Sequence, residues 1–182
     1  MFFHVFQKAY TILEFVFVGS FSDTIITFGD KYGLHFLILM TVKRIMVCLD
    51  GSKHSLRGLN AAISSAKESD ATIVGVHSDT SFSAFSAVRA PILPEKKWTN
   101  EAKGIIYGAQ KKVEKSKIKF EGVVIGGHSS GIDLTTFANN PRNKIDQIVI
   151  GSRGMGFPRE LFFGGTANFV LHKAKAPVTI VK

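Results

Sequence analysis

Between residues 43 and 182, short β-branched runs alternate with stretches of helical spacing, and no other feature limits the fold so strongly. Lys43-Arg-Ile-Met-Val-Cys-Leu-Asp50 is an apolar run that ends in a turn. Ala71 to His77 is a second run, Phe120 to Gly126 a third, Ile145 to Ile150 a fourth and Val178 to Val181 a fifth. Near-continuous Val and Ile suit parallel strands that are covered on both faces. Leu56, Leu59, Ala62, Ile63 and Ala66 recur at helical intervals and predict a helix over Ser55–Ser69, with Ser52 as a candidate N-cap. A long helix is expected over Glu95–Lys117, weakened locally by Gly104 and Gly108. A short helix is expected over Gly131–Asn139, and Thr166 to Lys175 has helical composition. Residues 79–93 read as an irregular connection, with Pro91 and Pro94 near its end. Strands separated by helices imply right-handed βαβ units. The expected fold class is α/β: a Rossmann-like open five-stranded parallel sheet with helices on both faces.

Ligands of such sheets lie at the carboxyl ends of the strands, where strand order reverses. Asp50, His77 and Gly151 all fall at such ends. After the fourth run comes Gly151-Ser-Arg153-Gly154-Met-Gly156, then Gly164-Gly165-Thr166 before the last helical stretch. Glycines remove side chains where a backbone turns sharply or approaches a ligand closely. The first N–H groups of the helix that follows, with the positive end of its dipole, suit a phosphate. Arg153 and Arg159 lie in or beside this loop, where a guanidinium can meet phosphate oxygens. A tight strand-to-helix loop explains the same glycines without any ligand, and an exposed loop is an ordinary place for an arginine. Asp50 likewise has two readings, a ligand-facing carboxylate or a turn residue that bonds its own backbone.

At these residues the chain resembles the universal stress protein family. The ATP-binding branch of that family carries Gly, two residues, Gly, nine residues, Gly, then Ser or Thr. Gly151, Gly154 and Gly164 fit that spacing, and Pro177 opens a final strand at the usual distance. Lys43 to Asp50 followed by Gly51-Ser52 is similar to the family's first strand and turn. The pattern is broken at one place: position 165 is Gly, with Thr166 next to it. The resemblance implies an adenine-nucleotide site, with ATP as the expected ligand and Mg²⁺ or Mn²⁺ as its companion. It implies phosphates at Gly151, Gly154, Gly164, Gly165 and Thr166, Asp50 near the adenine or ribose, and a backbone contact to adenine at Ser78, where the family commonly has Val after His. In the family the hydroxyl at position 165 helps hold the distal phosphates, so its loss bears on triphosphate affinity. The resemblance also implies a homodimer through the C-terminal strand 177–182. The expected function is a nucleotide-binding regulatory or stress-response protein with a protein partner that the sequence does not identify. The alternatives are a nucleotide-independent dimer module, because Gly165 lacks the hydroxyl, and a weak, metal-dependent ATPase; a dedicated turnover enzyme is not expected, because no nucleophile and base pair can be placed on the sequence.

Composition sets further bounds. Residues 40–182 have the size of one domain. The six histidines are scattered without metal-ligand spacing, so no zinc site is expected. Cys48 is the only cysteine, which fits a reducing compartment, and the expected location is the cytoplasm. Lys96, Lys97, Lys103, Lys111, Lys112, Lys115, Lys117 and Lys119 crowd one helix and its exit. With only Trp98 and Tyr107 to stack on bases, this reads as a solvated face rather than a nucleic-acid surface.

The first 39 residues differ in character. The first forty hold eight of the sixteen phenylalanines and carry a net charge of −1, so the remainder carries +10 of a chain total of +9. Glu14, Asp23, Asp30 and Lys31 interrupt every apolar run, so the roughly 18–20 residues of a membrane helix are not reached. Met1-Phe-Phe-His lacks the basic start of a secretory signal. Membrane association is not expected. Residues 1–39 are expected to be a mis-assigned upstream extension, largely disordered or aggregation-prone if made, with Met40 as the true start of the domain.

Overall fold

The computed structural model describes residues 15–17, 24–29, 35–40, 42–82, 98–154 and 164–182. The chain divides into two compact units, Met1–Val42 and Lys43–Lys182. The division falls three residues beyond the expected boundary.

In the first unit, β1 (Phe15–Phe17), β2 (Thr24–Gly29) and β3 (His35–Met40) form an antiparallel sheet in that order. Thr24 pairs with Met40 and Phe15 with Phe28. The β-branched and aromatic residues that looked like an aggregation hazard are also good strand formers, and local pairing satisfies their backbone groups.

The second unit runs β4 (Arg44–Cys48), α1 (Lys53–Ser69), β5 (Thr72–Ser78), α2 (Asn100–Glu114), β6 (Phe120–Ile125), α3 (Ser130–Asn139), β7 (Gln147–Gly151), α4 (Gly165–Lys173) and β8 (Val178–Val181). All five strands are parallel, in the order β6-β5-β4-β7-β8. The chain therefore builds outward from β4 in one direction, then returns and builds in the other. Right-handed crossovers then place α1 and α2 on one face and α3 and α4 on the opposite face. Met46, Cys48, Val74 and Val76 pack with Leu134, Ala138, Ala167 and Val170 of α3 and α4. Strand alternation turns Ile45, Val47 and Ile73 to the α1–α2 face, where they are fully buried. Removing such side chains from water contributes roughly 1.5–3 kcal/mol each.

Local signals fix most boundaries. The Ser52 hydroxyl accepts from Ser55 N at 3.1 Å, so α1 begins at its expected cap. Helix α2 is shorter than the expected Glu95–Lys117. Thr99 caps it through Ala102 N, 3.1 Å, and Lys117 has already turned to φ 58° beyond its end. Residues 95–97 lie outside the described residues. Strand β7 starts at Gln147 rather than Ile145, because the Asp146 carboxylate bonds the backbone N–H groups of Lys43 and Arg44, both at 2.9 Å.

Candidate functional site

Strands β4 and β7 are neighbours whose chains diverge, so a crevice opens at their carboxyl ends. A cavity of about 450 Å³ lies there, a size usual for small-molecule sites. All eight residues singled out from the sequence line it: Asp50, Ser78, Gly151, Arg153, Gly154, Gly164, Gly165 and Thr166. Leu49, Leu134, Ile150 and Ala167 give it an apolar wall. Cys48 also lines it, but burial, with a smaller contribution from the Asp50 charge, pushes its thiol up to about 12 and keeps it from acting as a thiolate. Arg159 lies outside the described residues.

Gly151 and Gly154 have different local reasons. A Cβ at Gly151 would sit 2.7 Å from the His54 carbonyl carbon and 2.9 Å from Ser55 N, so glycine lets β7 end directly against the start of α1. A Cβ at Gly154 would sit 2.9 Å from Asp50 Oδ2, so glycine lets the loop lie against that carboxylate. Asp50 fulfils its turn reading with one oxygen only. Its Oδ1 accepts from Ser52 N at 2.9 Å, and its Oδ2 is the oxygen that faces Gly154. At Gly165 a Cβ would meet nothing within 4 Å. The loop closes where Gly164 N donates to Ser152 O, 2.8 Å, and Ser152 N to Val181 O, 2.7 Å.

Two helix N-termini reach the cavity, through Ser130 of α3 and through Gly165, Thr166 and Ala167 of α4. Neither has a side-chain cap bond. The first intrahelical bonds are Asp133 N to Ser129 O and Asn168 N to Gly164 O, both 3.0 Å, so three amides at each end precede the helical ladder. Electrostatics separates the two ends. Helix α3 carries the carboxylate of Asp133 in its first turn, whereas α4 has no acidic residue there. A carboxylate matches the positive end of a dipole and repels a second anion, so the α4 end is the one that suits an anionic ligand.

Opposite α4, the tip of β5 carries a connected polar set. The Ser78 hydroxyl donates to Asp133 Oδ2 at 2.9 Å, and Asp133 is only 7% exposed. Asp133 Oδ1 lies 3.1 Å from Nδ1 of the exposed His128. His77 Nδ1 lies 2.7 Å from the Leu49 carbonyl, which can only accept, so this nitrogen carries the proton. His77 is thus partly buried and tied to the backbone, and it also lines the cavity. Next to it, burial pushes the Asp79 carboxyl up, but hydrogen bonds from Ser81 N, Thr99 N and the Thr99 hydroxyl outweigh this and hold it at about 2. Asp79 and Thr99, which line the cavity, were not foreseen, nor was Asp133, which holds Ser78 from behind it. Their one visible signal is a polar residue just after a strand or near a helix start. Among the described residues no three His, Cys, Asp or Glu side chains gather into a metal cage, and no helix is long and apolar enough to cross a membrane.

Comparison with known proteins agrees with this architecture. The universal stress protein YxiE of Bacillus subtilis (strain 168) is 27% identical over 149 residues, covering 76% of this chain and 98% of the relative. The solved structure of universal stress protein UspA from Lactobacillus plantarum shares the fold with a TM-score of 0.64 at 18% identity, covering 79% of this chain and 99% of that one. The universal stress protein from Archaeoglobus fulgidus, solved in complex with dAMP, is 25% identical with a TM-score of 0.56, covering 79% of this chain and 100% of that one. Residues 41–182 match the universal stress protein family itself, and the chain belongs to it.

Proposed function

We propose that this protein binds an adenine nucleotide in the cavity at the β4–β7 switch point and uses it as a regulatory signal. The observation that carries this reading is the convergence of the glycine loop, Asp50, Ser78 and the uncapped α4 terminus on one cavity. The amides of Gly165, Thr166 and Ala167, with Arg153, hold the phosphates. Asp50 Oδ2 accepts from the ribose or base, and the base lies on Leu49, Leu134 and Ile150. With a triphosphate bound, Mg²⁺ or Mn²⁺ would accompany it and neutralise part of its charge. Gly165 lacks the hydroxyl that would help hold distal phosphates, and Thr166 is the nearest replacement. The A. fulgidus relative with dAMP supports an adenine ligand of this kind.

We propose further that the protein is a cytoplasmic homodimer joined through residues 177–182. Strand β8 is an edge strand, paired among the described residues with β7 alone and half-buried along its whole length, and an open edge of this kind invites pairing. Removing residues 177–182 should then convert a dimeric mass in light scattering to a monomeric one, while a monomeric mass for the intact protein would contradict the dimer.

Calorimetry on the full chain with AMP, ADP and ATP–Mg²⁺ tests the site. Micromolar binding that Gly154→Val abolishes is the expected result. No binding to any of the three would reject the nucleotide reading and leave a nucleotide-independent interaction module.

A further inference from the structure

A second cavity, of about 260 Å³, lies where α1 and α2 end, beside the starts of β5 and β6. The strands are closed here, since Arg44, Glu121 and Asp146 are all paired. The open groups belong to the helix exits. Lys67, in the last turn of α1, and Ser116, Lys117 and Lys119, in the α2–β6 connection, line the cavity. All three lysines are exposed, and none of these four side chains has a hydrogen-bond or ion-pair partner among the described residues. A lysine near a helix C-terminus commonly caps the last carbonyls. Here the backbone does so instead: Ala71 N bonds Ala66 O at 3.2 Å, Ser116 N bonds Val113 O at 2.8 Å and Lys117 N bonds Glu114 O at 3.0 Å. Among the described residues, Asp70 is the one carboxylate on the lining.

We infer that this cavity is a docking site for an acidic protein segment, whose carboxylates are met by Lys67, Lys117 and Lys119. Three ammoniums against one carboxylate leave an excess of positive charge, and complementary charge on a partner steers its approach and fixes its register. A single phosphate group is a poorer fit. Phosphate cradles are built from free amides at a helix N-terminus. Here two helices present their C-termini, and the amides beside the cavity are already bonded. Lysines are also point charges on flexible stems, without the planar fork that grips a phosphate through two bonds. They suit carboxylates spaced along a chain. Nucleic acid and membrane are disfavoured by what the lining lacks. No aromatic side chain of the lining can stack on a base, and none of the exposed large apolar side chains, Leu56, Tyr107, Ile132 and Leu171, lies there to enter a bilayer. The site is at the opposite end of the sheet from the nucleotide cavity and does not rest on nucleotide binding.

Fluorescence anisotropy of a labelled oligoglutamate peptide with the full chain tests the site, with single-stranded DNA and phosphatidylserine vesicles as rival ligands at the same salt. The peptide should bind, and added salt should weaken it. Combining Lys67→Gln, Lys117→Gln and Lys119→Gln should weaken binding roughly tenfold. A control combining Lys53→Gln, Arg57→Gln and Lys103→Gln removes the same charge from exposed positions that do not line the cavity. Arg57 stands ten residues before Lys67 in α1, about 15 Å of helix and beyond the screening length of roughly 8 Å. The control should therefore weaken binding by roughly twofold at most. Asp70→Asn should tighten binding severalfold. Asparagine tolerates the left-handed backbone of that position, φ 50°, and a gain in affinity cannot come from a damaged fold. Failure of the peptide to bind, equal losses in the two triple variants, or an Asp70→Asn protein that binds no more tightly would overturn the site. Tighter binding of DNA or vesicles, abolished by the first triple variant, would overturn its assignment to an acidic protein segment.

Discussion

The two ends of the parallel sheet use polar groups in opposite ways. At the amino end, polar side chains are committed to each other and to the backbone. Arg44 forks onto Glu121 with bonds of 2.7 and 2.8 Å and sends Nε to Asn143 O at 2.9 Å. The fork raises the guanidinium pKa and lowers that of Glu121. Asp146 receives the N–H groups of Lys43 and Arg44 on one oxygen, and Lys43 Nζ reaches Ser69 O at 3.2 Å. At the carboxyl end, two helices start without a side-chain cap and Asp50 keeps one oxygen turned toward the loop. Closed polar groups hold the strands in register. Open ones, in a cavity with an apolar wall, are what a ligand can complete.

If this division is right, substitutions at the carboxyl end should change binding more than stability, and those at the amino end the reverse. The largest effect is expected for Gly154→Val. A branched side chain there displaces the loop from Asp50, and nucleotide affinity should fall by roughly a hundredfold or more in calorimetry, with little shift in the thermal midpoint. Asp146→Ala should do the opposite. It strands the Arg44 and Lys43 amides, lowering the denaturant midpoint by the equivalent of about 1–3 kcal/mol while nucleotide affinity stays the same.

Asp79 sharpens the comparison because it is a closed group at the open end. Its carboxyl is depressed from 3.8 to about 2 on folding, so its contribution is fully present above the unfolded value. Stability should therefore decline as pH falls from about 4 toward 2, and Asp79→Asn should flatten that part of the urea-denaturation profile. Gly165→Ser should be a mild gain. The space is open, a serine carries less unfolded-state entropy than glycine, and its hydroxyl points a donor at the phosphates. About 0.5–1 kcal/mol of stability and a severalfold gain in ATP affinity are expected. Glu121→Gln should have the smallest effect, about 0.5 kcal/mol or less in denaturant titration, because half of that side chain is exposed.

How far each end was legible in the sequence follows from the same contrast. Gly151, Gly154, Gly164 and Asp50 were legible because glycines and an acid at the end of a strand run mark a turn in the sequence itself, although the partners that require Gly151 and Gly154, His54 and Asp50, lie far away along the chain. The strand runs were legible because parallel strands covered on both faces need near-continuous apolar residues. Arg44 and Glu121 lie 77 positions apart, and Ser78 and Asp133 lie 55 apart. Only the packed sheet brings such partners together, and nothing in their own neighbourhoods announces the pairing. Helix α2 was read too long for a related reason. The lysines that flank it fit a helix beyond either end, and the limits came from the Thr99 cap and the left-handed turn at Lys117.

The central claim concerns the first amides of α4, and amide hydrogen exchange reads them directly. On adding AMP to the full chain, exchange at Gly165, Thr166 and Ala167 should slow by an order of magnitude or more, while Lys43 and Arg44, already bonded to Asp146, should not change. Unchanged exchange at the α4 terminus under conditions where AMP binds would contradict the account.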